Sequence, residues 1–156
     1  MSRRILMLCG LLPVLALPAL PAVAQASDAS MIRALTPYKS ALTTDILSLA
    51  ALNSVPAKSQ IASWTSKLQR AQSDLTTVGR VARAQSPSTA SGRTLQSEML
   101  SGLSDAYGAA GDGLAVMAAA RVGNTSAARA DVRNEQSEFT KALVPLSAAG
   151  RSLGLL

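Results

Sequence analysis

Asp45 and Glu135 are the residues whose type and position come nearest to acid–base chemistry, because each carboxylate falls near the apolar stripe of a helical segment. Two inward-facing carboxyls on neighbouring helices titrate away from their ordinary range and can divide the roles of acid and base. Buried unpaired carboxylates are rare, however, so both are expected at the edge of their stripes, reaching solvent and pairing with Lys39 or Arg133. The rest of the catalytic repertoire is missing. With no histidine in the chain, imidazole-held haem, ordinary zinc sites and the Glu-x-x-His ligands of di-iron bundles are excluded. Ser–His and Cys–His nucleophiles go with them. No catalytic residue, cofactor or metal is expected, and the chain reads as a non-enzyme.

The stretch Ala106–Leu114, "AYGAAGDGL", holds Gly108, Gly111 and Gly113 at a spacing that suggests a phosphate-binding loop. Such a loop needs a preceding strand and a helix N-terminus whose free amides meet the phosphate. No strand pattern lies nearby, and Asp112 repels an anion. The glycines are better explained by a helix that lies close to its neighbours. Gly111, Gly113 and Ala106 flank its stripe and Gly108 points outward, with a bend or break expected where helical glycines cluster.

A charged helical segment supplies the candidate binding residues. Lys58, Lys67, Arg70, Arg80 and Arg83 stand against Asp74 alone. Lys67, Arg70, Arg80 and Arg83 are the candidate contacts to an acidic partner protein or to an anionic lipid or polysaccharide surface. Nucleic acid lacks support, because aromatic residues make up only 3% of the chain.

Helices must position these residues. Ile61, Trp64, Leu68, Ala71, Leu75, Val78 and Ala82 recur at alternating spacings of three and four, one apolar stripe on a helix near 56–85. Tyr38, Leu42, Ile46 and Leu49 mark an earlier helix within 30–53, where Thr36–Pro37 reads as a cap and first-turn proline or as a kink. Leu100, Leu103, Tyr107, Ala110, Leu114 and Met117 mark a third near 89–122. Ala128, Val132, Phe139, Leu143 and Leu146 mark a fourth near 125–149, with Pro145 kinking it or starting a final short helix. Gly123 suits a left-handed C-terminal cap and Asn124 or Thr125 the next N-cap, which makes Asn124-Thr125-Ser126 a helix start rather than a glycosylation site. Short turns between long helices give an all-α, antiparallel up-down four-helix bundle. The aromatics fall one to a helix, and helix rise sets Tyr38, Tyr107 and Phe139 in one core layer about 22 Å deep, with Trp64 nearer the end.

The N-terminus reads as a leader. Arg3-Arg4, the apolar run Ile5–Leu20 and the small residues of "PAVAQA" form a secretory signal peptide over 1–26, cleaved after Ala24 or Ala26. Pro13, Pro18 and Pro21 interrupt the run, which falls short of a membrane span. Cys9, the one cysteine, lies inside this leader, so the remaining domain, 27–156, has no thiol or disulfide. A small exported domain without disulfides fits the bacterial periplasm or secretion from a bacterium. Loss of Arg3 and Arg4 takes the 15 basic residues to 13 against 9 acidic, and the net charge from +6 to +4.

The functional expectation is a periplasmic or secreted helical module that acts through its surface on an envelope partner. The alternative is a carrier of a small apolar ligand in the bundle core, suggested by the small residues of the third helix and by Met99 and Met117.

Overall fold

The computed structural model describes residues 22–152, with side chains from residue 29 onward. Most of the expected signal peptide lies outside the described residues, and its possible cleavage points, Ala24 and Ala26, fall within the first helix.

The described chain is all helical: α1 (Ala22–Leu35), α2 (Lys39–Ala51), α3 (Ile61–Arg83), α4 (Ala90–Arg121) and α5 (Thr125–Ser152), with 3-10 turns at Thr36–Tyr38 and Lys58–Gln60. The expected first helix is thus α1 and α2 joined through Pro37. Leu35 and Lys39 on either side keep right-handed helical dihedrals, so the chain passes the proline in a single 3-10 turn without reversing. Thr36 is not the cap expected of it; its hydroxyl donates back to the Ile32 carbonyl at 2.7 Å. Many exposed hydroxyls, among them Thr43, Thr44 and Ser48, are satisfied in this way, which lets a Ser- and Thr-rich chain stay helical.

Local chemistry sets the other ends. Thr89 accepts from the Gly92 amide at 3.0 Å to cap α4, and Asn124 accepts from the Ala127 amide at 3.1 Å to cap α5. Gly123, at φ +76°, terminates α4 in the left-handed region. Gln96 of α4 donates to the carbonyls of Ala82 and Gln85 at 2.7 and 2.8 Å, tying α4 to the C-terminal end of α3.

The core is one cluster shared by α1–α5. On α3 the expected stripe is buried except Trp64, which is half-buried. On α4 the buried face is rotated from the expected one. Met99, Gly102, Ala106, Ala109, Gly113, Val116 and Ala120 form an unbroken alternation of three and four, flanked by Leu103, Ala110 and Met117. Leu100 and Leu114 sit half-buried at its margins, and Tyr107 is 46% exposed. Small residues hold the seam because α4 packs against both α3 and α5, and close backbone approach leaves no room there for larger ones. A Cβ on Gly102 would meet Leu146 at 2.6 Å, and one on Gly113 would meet Leu52 and Leu68 at 3.0 Å. Gly108 faces α5 rather than pointing outward, its Cβ direction leading to Glu138 Oε2 at 4.0 Å. No break divides the glycine cluster from the rest; α4 runs continuously from Ala90 to Arg121.

On α5 the buried residues are Ala128, Val132, Glu135, Phe139, Ala142, Leu146 and Ala149, again at alternating spacings, followed by Gly150. Leu143, expected inside, is 39% exposed, and the helix continues through Pro145. Partners descend as α4 ascends: Gly102 faces Leu146 and Gly108 faces Glu138 on α5, while Gln96 meets Ala82 and Gly111 meets Gln72 on α3.

Candidate functional site

The four candidate binding cations fall into two groups. Lys67 lies over the Trp64 ring, its Nζ 5.0 Å from the centroid, so its charge is partly satisfied within α3. Arg70 Nε meets Asp74 Oδ2 at 3.4 Å, one turn along. Arg80 and Arg83, further toward the C-terminus of α3, are exposed and make no ion pair among the described residues. They line two adjoining hollows between α3 and α4. One, of about 230 Å³, is bounded by Gly79, Arg83, Leu100 and Ser104. The other, of about 360 Å³, is bounded by Gln72, Ser73, Thr77 and Arg80. Thr76 and Tyr107 border both.

The first of these hollows has a structural cause. Gly79 is buried on the α3 side, and a Cβ built there would meet nothing within 4 Å. Tyr107, one residue past the seam position Ala106, is thereby turned out beside the gap. The expected aromatic layer therefore does not exist as a core layer: Phe139 is buried, Tyr38 half-buried and Tyr107 exposed. Sequence reasoning missed Gly79, Thr76 and Tyr107 as parts of this face. The signal was present in the seven-residue recurrence of small residues on α4 at Gly102–Ala109 and at Ala106–Gly113, which places Tyr107 off the seam.

The carboxylates contradict the expectation that they reach solvent. Asp45 is 2% and Glu135 0% exposed, and Asp45 Oδ2 and both Glu135 carboxyl oxygens have no hydrogen-bond partner. Glu135 makes no ion pair with Arg133, which points to solvent from the same helix. Each acid occupies a stripe position: Asp45 between Leu42 and Leu49, Glu135 between Val132 and Phe139. Burial disfavours the charged form, which pushes Asp45 up to about 6, with Asp74 adding repulsion and Arg70 opposing it. Burial, with repulsion from Asp112, pushes Glu135 up to about 8. Asp112 is itself raised by partial burial and by Glu138 and Asp131. At neutral pH Glu135 is thus a neutral carboxylic acid within an apolar core.

Of the small residues of α4, Gly102 packs against Leu146 of α5, and Gly113 against Leu68 of α3 and Leu52 just after α2. Among the described residues no group of three or more acidic or thiol side chains could hold a metal ion, and no helix is long and apolar enough to cross a membrane. No family model, curated protein or solved structure matches this chain.

Proposed function

We propose that this is a non-enzymatic exported module, an antiparallel up-down four-helix bundle, that binds an acidic segment of another envelope protein across its α3–α4 face. The observation that carries the reading is the pair Arg80 and Arg83, free of ion pairs among the described residues, lining the two hollows beside exposed Tyr107. Two cations give attraction and register to a carboxylate-bearing chain, and an exposed tyrosine supplies an amphipathic contact of the kind enriched at interfaces. Thr76, Thr77, Ser73 and Ser104 add hydroxyls around it. The descending partners along α4, and the short connections on either side of it, support the up-down arrangement. Arg3-Arg4, the apolar run behind them and the small residues ending at Ala26 support export.

Charge reversal tests the face. The native protein should retain a specific envelope protein under crosslinking, a poly-glutamate peptide should compete, and Arg80→Glu with Arg83→Glu should abolish capture. The same pair of reversals should leave the helical circular dichroism spectrum unchanged, since both residues are exposed. Binding to anionic vesicles or to acidic polysaccharide with the same arginine dependence would move the partner out of the protein class. Capture that survives both reversals would refute the α3–α4 face.

A further inference from the structure

Among the described side chains, those of the limb formed by α1 and α2 that enter the core are few, with Ile32, Tyr38 and Ile46 half-buried beside them. Met31 and Leu35 are buried from α1, Leu42, Asp45 and Leu49 from α2, and Leu52 just after it. One of the three residues that α2 itself buries is therefore an acid, at the middle of its docking stripe, with Oδ2 unpartnered. The connection to α3 is non-helical from Leu52 to Ala57, where the chain can change direction without breaking a helix. By contrast, α5 buries eight residues, seven of them neither acidic nor basic, and is capped into α4 through Gly123 and Asn124.

We propose that Asp45 is a proton-controlled latch: with its carboxyl neutral, α2 stays seated on α3 and α4, and loss of that proton weakens the seat so that the α1–α2 limb opens more often about the Leu52–Ala57 connection. An ionised carboxylate is disfavoured in this seat, where Oδ2 has no hydrogen-bond partner and the nearby charges compensate little. From α3 it feels Asp74, which repels it, and Arg70, which is already engaged by Asp74 at 3.4 Å. From α5 the one acid in the core is Glu135, which has Asp112 of α4 as its own charged neighbour. Release of α2 returns Asp45 to water and uncovers Leu68 and Gly113, which Leu52 covers in the docked state. The latch works in the neutral range because the carboxyl is pushed up to about 6, well below the value of about 8 for Glu135.

Backbone amide exchange on the full chain at pH 5 and pH 7, corrected for the intrinsic pH dependence of exchange, tests this. Glu135 loses part of its own stabilising proton linkage over the same range, so the protection of α4 and α5 serves as the measure of whole-chain opening. Moving the carboxyl from about 6 when docked to its ordinary 3.8 when released shifts the docking equilibrium about tenfold between those two pH values. Protection of residues 39–51 is expected to lie below that of α4 and α5 at both pH values and to fall by about that factor from pH 5 to pH 7. Asp45→Leu restores an apolar stripe residue and should give α2 the same protection at both pH values. Asp45→Asn keeps the shape without the charge and serves where leucine overpacks the seat. Equal protection of α2 in the native chain at pH 5 and pH 7 would overturn the latch. So would a pH dependence of α2 that persists in both variants, or protection of residues 39–51 equal to that of α4 and α5, which would mean that α2 opens only with the whole chain.

Discussion

Gly102 lies against Leu146 so closely that a Cβ on the glycine would stand 2.6 Å from Leu146 Cγ and 3.0 Å from its backbone nitrogen. The nearer obstacle is a branched carbon next to the backbone and the second is backbone itself, so α4 and α5 must separate to admit even a methyl group. Gly102→Ala is therefore expected to destabilise by about 1–3 kcal/mol, despite alanine's better helix propensity. Gly79→Ala makes the opposite change. Its Cβ meets nothing within 4 Å, so the variant should gain up to about 1 kcal/mol. Chemical denaturation of both proteins measures the contrast, and the same sign for the two would contradict the packing at one of them.

Glu135 makes the bundle more stable in acid than in base. Its carboxyl is pushed up to about 8 from an ordinary 4.5 by burial first and by Asp112 second. Between those values the folded chain holds a proton that the unfolded chain has released, so unfolding gains in favour as pH rises. The contribution is fully present below about 4.5 and is lost as pH climbs through about 8, a change of several kcal/mol. Urea midpoints should fall between pH 5 and pH 9 in the native chain. In Glu135→Leu that fall should be largely removed, with the variant more stable than the native protein at pH 9.

Phe139 and Tyr107 should respond differently to truncation although each is the one full-sized aromatic of its helix. Phe139 is 8% exposed and lies in the α5 stripe, so Phe139→Ala should cost about 3–5 kcal/mol. Tyr107 is 46% exposed beside the hollows, and Tyr107→Ala should cost much less. A loss below about 1 kcal/mol at Phe139 would mean that the α5 face is wrongly assigned.

Arg70 and Arg80 carry the same charge on the same helix but should not contribute equally to partner binding. Arg70 is engaged with Asp74 at 3.4 Å, whereas Arg80 borders a hollow without a counter-ion among the described residues. Arg80→Ala should weaken capture of an acidic partner several-fold more than Arg70→Ala, read as the difference in dissociation rate by surface-immobilised binding. Equal effects would indicate a diffuse field rather than a site.

Sequence alone determined where helices run and where they stop, because those features depend on residues within a turn or two of one another. The alternating stripe of α3, the left-handed Gly123, the Asn124 cap and the interruption of the first helix at Pro37 are all local. Only the tertiary structure decided which face of α4 is inside. Glycine and alanine carry little apolar weight in a periodic pattern, yet they alone fit where three helices meet, so the seam follows Gly102, Ala106 and Gly113 and leaves Tyr107 in solvent. The same holds for the charged groups. Whether Asp45 and Glu135 are sealed in or reach water, and whether Arg80 finds a counter-ion that Arg70 already has, depends on what the neighbouring helices place beside them, and burial and charge pairing are properties of that arrangement rather than of any one helix.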